Sequence, residues 1–278
     1  MTTADTLSDP SGHNHTGHDQ TGHHQTGHGL RAGWRATRAL LGNEVRLFAR
    51  TPAAVVLPVL MPIVATAVIA AVPAARRPAE PFGGLSVAQA YTPTLIIFAV
   101  SMATLVVLPS ILGGYRELGF LRRLRTTPVS PAMLLAAFLV FMTVVSLMTA
   151  LVIAGVPLLF GVPAPMRPVT FAVGVLLCVA AFLAVGTLLC AVIPNPRVAT
   201  GVGNVVAALM WFCAGLWFPR AQFPAWLAGI ADATPGGAAV RLMTDAMVGA
   251  AMSWLAVGVC VVWCAVGATV AVRTFRWE

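Results

Sequence analysis

Five charged residues, Arg116, Glu117, Arg122, Arg123 and Arg125, crowd the string YRELGFLRRLRTTPVSP at 115 to 131, between two long apolar runs. Guanidinium groups with one carboxylate suit charge-paired docking against a protein surface rather than bond-making chemistry. If 116 to 125 is helical, Glu117, Phe120, Leu121 and Leu124 share a face by i, i+3, i+4 and i+7 spacing, while Arg122 and Arg125 project elsewhere. Thr126, Thr127 and Pro128 stop that helix, and Pro131 suits the first turn of the next. A short, rigid knuckle results. Positive clusters also set the orientation of membrane spans, but orientation requires neither Glu117 nor the apolar face.

A second set of chemistry-bearing residues lies at the start of the chain. All six histidines, His13, His15, His18, His23, His24 and His28, fall in TGH-like repeats within residues 1 to 29. Neutral imidazoles at this density can bind Zn, Ni or Cu, which makes them weak metal ligands but no firm metal site. With no apolar residues to bury, the tract is expected to be a disordered, low-complexity appendage.

Other chemistries are excluded by what the sequence lacks. No histidine outside the tail can serve as a base, and Ser or Cys alone gives no nucleophilic triad. Cys178, Cys190, Cys213, Cys260 and Cys264 all fall in apolar runs, where free Cys packs as a small hydrophobe. The 17 basic residues are all Arg, so the phosphate-binding loop GxxxxGK[ST] cannot form without its lysine. If ATP supplies energy, it is bound with Mg on another chain. No catalytic residue, no cofactor and no nucleic-acid partner are expected here.

The elements that position these residues follow from hydropathy. The chain is 58% hydrophobic and 9% charged, against roughly 25% charged in a soluble domain, which marks an integral membrane protein. Windows of about 20 apolar residues, enough to cross a hydrocarbon core of roughly 30 Å, occur at about 52–72, 91–113, 132–157, 169–193, 200–218 and 251–272. Residues 1 to 29 lack an apolar h-region, so the first span is expected to be an uncleaved anchor. With both termini inside, the arginines of 31–50, 116–125, 197 and 273–276 face the cytoplasm and only Arg76, Arg77, Arg167, Arg220 and Arg241 face outward, as the positive-inside rule requires.

Two segments flank the spans. On a helical wheel over 31–50, Arg31, Arg35, Arg38, Arg46 and Arg50 gather opposite Trp34, Leu40, Leu41, Leu47 and Phe48, which reads as an interfacial helix in the headgroup region. Glu44 lies among the apolar positions, where a carboxylate pairs with an arginine or serves a protein contact. Between the last two spans, Pro219, Pro224 and Pro235 punctuate a stretch whose pieces 224–232 and 235–248 are too short or too polar to cross. Half-helices dipping into the outer leaflet fit, since irregular backbone at that depth must be covered by protein or line a cavity. Pro224, Asp232, Pro235 and Arg241 mark this region, together with Asp245.

This order of parts resembles the permease subunits of ABC-2 type exporters, and within them the daunorubicin/doxorubicin-resistance group of drug-export permeases. The resemblance rests on NEVRLFARTP before span one, on ELGFLRRLRTTPVSP, and on GLWFPRAQFPAWLAGIADATPGGAAVRLM, and it covers about residues 30–278. It implies an all-α membrane domain of six transmembrane helices with an N-terminal interfacial helix, a cytoplasmic coupling helix between spans two and three, and re-entrant half-helices between spans five and six. It further implies a half-transporter in a bacterial cell membrane, paired with a second, identical permease chain and with two copies of an ABC ATPase. By the same resemblance Glu44, Glu117, Gly119, Arg122, Arg123, Arg125 and Pro128 would couple to the ATPase. Spans two and five would line the substrate path through Thr94, Phe98 and Ser101 on one face and Asn204, Trp211 and Phe218 on the other, which suits an amphiphilic or aromatic drug or antibiotic. Ordinary helix packing is the competing reading of those stripes. Export of a lipid or lipid-linked polysaccharide is the alternative within the family, with a metal-linked transporter using the His-rich tail a more distant one. Ion-coupled transport is disfavoured because none of the six predicted spans holds a carboxylate or a histidine.

Overall fold

The structure, a computed structural model, describes residues 52–117 and 131–274, with side chains over 59–113 and 135–274. The histidines at 13–28, the interfacial helix at 31–50 with Glu44, and Gly119, Arg122, Arg123, Arg125 and Pro128 lie outside the described residues. Glu117 is described only as the last residue of its helix.

Among the described residues the chain is helical throughout, apart from loops and one bridge between Pro78 and Ser86. The α-helices are α1 (Pro52–Ala71), α2 (Val87–Ser101), α3 (Leu108–Glu117), α4 (Pro131–Leu159), α5 (Pro168–Val192), α6 (Pro196–Cys213), α7 (Ala225–Asp232), α8 (Pro235–Met247) and α9 (Trp254–Thr274). A π-helical step, Met102–Val107, joins α2 to α3 without a break.

Local chemistry sets these boundaries. Ser86 caps α2 through a reciprocal box: its hydroxyl accepts from the Gln89 amide at 3.2 Å, and its own amide donates to Gln89 Oε1 at 3.1 Å. Asn195 caps α6 by accepting from the Arg197 and Val198 amides, with Pro196 in the first turn. Thr234 and Pro235 open α8 in the same way.

Among the described residues, four helical stretches are long and apolar enough to cross a membrane: Val87–Gly113, Leu135–Leu159, Pro168–Val192 and Trp254–Thr274. The other two expected spans are also helices. Helix α1 runs over Pro52–Ala71, with Val59–Ala71 as its apolar described part. Helix α6 has 18 residues and carries Arg197 and Asn204; at 1.5 Å per residue it reaches about 27 Å, just short of a hydrocarbon core. Its limits correct the expected span at 200–218. The helix stops at Cys213 because Gly215 takes φ +85° and the amides of Gly215 and Leu216 turn back to the carbonyls of Phe212 and Trp211.

The core forms around α2 and α5. Ile96, Ile97 and Val100 of α2 meet Val179 and Phe182 of α5 and Leu242 and Met243 of α8, all fully or nearly fully buried. Helix α9 lies against α5 and α8, and α1 and α4 pack on α2. Much of the outward surface of α1, α4 and α9 is apolar, with Leu60, Val144, Leu151, Leu255 and Val262 exposed, as a bilayer-facing surface requires.

Candidate functional site

The predicted stripes on spans two and five meet at one seam. From the indole of Trp211 on α6, Nε1 donates to Ser101 Oγ on α2 at 2.7 Å, and that hydroxyl donates onward to the Phe98 carbonyl at 2.9 Å. The Phe98 and Trp211 rings lie 4.7 Å apart by centroid, tilted by 38°. One turn nearer the N-terminus of α2 than Phe98, Thr94 Oγ1 donates to the Ala214 carbonyl at 3.0 Å, satisfying a group freed where α6 ends. Thr94, Phe98, Ser101 and Trp211 are thus brought together. Thr94 and Ser101 are buried as contacts between helices, which matches the packing reading of this stripe within one chain. Asn204 does not join them: it is exposed, and its amide donates to the Thr200 carbonyl of its own helix. Phe218, expected on the same face, lies beyond the end of α6 and is exposed.

The π-helical step places backbone where side chains would ordinarily separate helices. A Cβ on Gly186 of α5 would sit 2.2 Å from the Thr104 carbonyl oxygen, and one on Gly203 of α6 would sit 1.8 Å from that of Leu105. Only glycine permits either approach. Hydroxyls bond carbonyls in and around the step, with Thr104 donating to Val100 and Ser110 to Val107, each at 2.7 Å. In an i→i+5 geometry such local partners matter, because the regular i→i−4 ladder is interrupted.

At the opposite end of α6 the loop and the short helices α7 and α8 form a hairpin held by charge. Asp232, the last residue of α7, accepts from both Arg220 and Arg241; the Arg241 contact is 2.5 Å. Arg220 also donates to the Gly237 carbonyl at 2.6 Å, and Arg241 approaches Asp245 at 3.9 Å. Two arginines and two aspartates leave this cluster formally neutral. Burial raises the carboxyl of Asp245 on α8, with Arg241 opposing and Asp232 reinforcing that shift. From α9, Trp263 Nε1 donates to the Ala233 carbonyl at 2.9 Å, tying the hairpin to the final helix. Pro224 precedes α7 as its cap, and Pro235 opens α8. Reasoning from sequence singled out Asp232 and Arg241 but missed Arg220, whose pairing with a residue 12 positions away has no local signature.

Sequence also gave no hint of an apolar cleft of about 890 Å³ between α4, α5 and α9. Leu139, Leu176, Leu183 and Ala268 are among its walls, and among the described residues Thr143, Thr187 and Cys264 are its only lining residues with polar side-chain atoms. Four of the five cysteines are buried and Cys264 is partly exposed.

A sequence model of the ABC-2 type transporter family matches residues 35–248. No curated protein gives a significant match.

Proposed function

The chain belongs to the ABC-2 type transporter family, as a membrane-spanning permease component of an ABC transporter, and from that premise we propose that it is the permease of an exporter for amphiphilic drugs or antibiotics. Two copies of the chain pair in a bacterial cell membrane with both termini cytoplasmic, each over a separate ATPase subunit that holds ATP and Mg. No lysine occurs among these residues, so they hold no phosphate-binding loop, which supports a separate ATPase subunit. Six helices span, including α1 and α6, while α7 and α8 dip into the outer leaflet without crossing.

The family match carries this reading, since it extends through the coupling string at 115–131 and through the hairpin. Glu44 and the knuckle residues Glu117, Gly119, Arg122, Arg123, Arg125 and Pro128 form the ATPase contact. Substrate passes between protomers beside α2 and α6, with Phe98, Trp211 and Phe218 supplying aromatic surface and Asn204 a weakly polar group, while the buried Thr94 and Ser101 hold the two helices together behind them.

Coexpression with a candidate ATPase tests it. The expected result is copurification and ATP-dependent movement of an aromatic amphiphile in reconstituted vesicles. Glu117→Arg should weaken docking or uncouple hydrolysis, because charge reversal at a partly desolvated interface costs several kcal/mol; Arg197→Glu serves as the control outside the motif. Glu117→Arg indistinguishable from wild type in both assays would remove the coupling role.

A further inference from the structure

The cleft between α4, α5 and α9 occupies one end of the bundle. It is lined by the first half of α4 (135–147), the middle of α5 (176–187) and the second half of α9 (264–272). Its rim reaches the outer surface, where Leu176 and Val272 are well exposed, and its floor includes the buried Val179 and Ala271. The two hydroxyls in the wall are already committed: Thr143 donates to the Leu139 carbonyl at 2.8 Å and Thr187 to that of Leu183 at 2.7 Å. The wall therefore asks nothing polar of an occupant.

A dry apolar space of this size, on a surface facing hydrocarbon, is filled by hydrocarbon rather than by water. Its volume falls within the roughly 300–1,000 Å³ range of sites that enclose discrete ligands, so it holds more than a shallow dent in the lipid shell would. Polarity enters only at the end of the cleft. Arg273 follows Val272 in the last turn of α9 and is exposed. Among residues with described side chains the acidic ones, Glu80, Asp232 and Asp245, belong to the far end, where the Arg167 amide bonds the Ala246 carbonyl and Arg76 bonds that of Phe160. Nothing acidic with a described side chain competes for Arg273.

We propose that this cleft is a binding site for an anionic two-chain phospholipid, its acyl chains lying between α4, α5 and α9 and its phosphate beside Arg273. Basic groups at the cytoplasmic mouth of a cleft between helices are suited to such headgroups. The site depends on the membrane location of the chain and not on the exported substrate or the ATPase.

The full chain is reconstituted in nanodiscs of equal phosphatidylglycerol and phosphatidylcholine, with retained lipid counted by native mass spectrometry after mild delipidation. Wild type should keep phosphatidylglycerol preferentially. Ala180→Trp, which fills the cleft, should lose retained lipid of either kind, and Val144→Phe on the exposed face of α4 should not. Arg273→Gln should keep lipid but lose about fivefold of its preference for the anionic headgroup, the attraction of one basic residue near a charged membrane surface. A photoactivatable phosphatidylglycerol should label 135–147, 176–187 and 264–272 of wild type, a readout that stands even if Ala180→Trp fails to fold. Retained lipid with the composition of the nanodisc, or labelling spread evenly over the exposed helix faces, overturns the proposal.

Discussion

Trp211 and Ser101 are joined by a hydrogen bond in which the indole donates across 2.7 Å to a hydroxyl that is itself donating to the Phe98 carbonyl. One serine thus serves as acceptor for α6 and donor within α2. Ser101→Ala should lower the midpoint of thermal unfolding in detergent, and Trp211→Phe should do the same. Because the two residues act as a pair, the double variant should cost less than the sum of the singles, by about 0.6–2 kcal/mol, the scale of hydrogen bonds between membrane helices. Additive losses would mean that the bond contributes nothing beyond packing.

Gly203 and Gly186 should tolerate no side chain. Gly203→Ala must separate α6 from the Leu105 carbonyl, and Gly186→Ala must separate α5 from that of Thr104, each costing about 1–3 kcal/mol as overpacking. Gly201, with nothing within 4 Å of its Cβ position, is the internal comparison. Gly201→Ala should be neutral or stabilising by up to about 1 kcal/mol, from helix propensity. Unfolding measured by denaturant titration ranks the three; equal effects at 201 and 203 would contradict the contact.

Asp232 holds two arginines at once, so Asp232→Asn should disturb the hairpin more than Arg241→Gln does. Breaking a fully buried pair costs about 3–5 kcal/mol; with its side chain 19% exposed, Asp232 should cost about 2 kcal/mol. Limited proteolysis at 219–250 reports the loosening, and equal protection of the two variants would argue against the bridge.

Asp245 sets a pH dependence of the opposite sign to that of an ordinary ion-paired carboxylate. Its folded pKa lies above its unfolded one because burial outweighs Arg241, so the folded state binds more protons. Stability is therefore greatest below the usual carboxylate pKa and declines as pH rises through the raised folded value. Asp245→Asn should flatten that decline above about pH 4 and leave the protein at least as stable as wild type once the carboxyl is ionised. A variant with an unchanged pH profile would place the titration elsewhere.

Topology is checked by impermeant labelling of single cysteines on a cysteine-free background. Position 80 should react from outside and position 197 only after lysis. External reaction at 197 would reverse the assigned orientation.

What the sequence made legible depended on how local each signal was. Proline marked the hairpin pieces, so the expected 224–232 and 235–248 appear as Ala225–Asp232 and Pro235–Met247. Hydropathy located the long helices, because burial in hydrocarbon demands a continuous apolar run. The same measure misplaced the end of α6, since Leu216, Trp217 and Phe218 are as apolar as the helix before them and only the conformation of Gly215 ends it. The stripe on α2 came from the family resemblance, but whether Thr94 and Ser101 face a passage or a neighbouring helix depends on where α6 lies. Arg220 with Asp232, and the cleft beside α5, are products of tertiary placement alone.

The π-helical step also has a genetic reading. A segment with five-residue hydrogen-bond spacing holds one residue more than its α-helical equivalent, so losing a single codon between Met102 and Val107 would restore the regular ladder while leaving composition and hydropathy almost untouched. The helix beyond it would keep nearly its angular position around the axis, because the widened turn is what absorbs the extra residue. Such a frame-preserving deletion should therefore be tolerated better at this turn than in the regular helices on either side of it, which marks the step as a place where the chain can lose a residue without losing register.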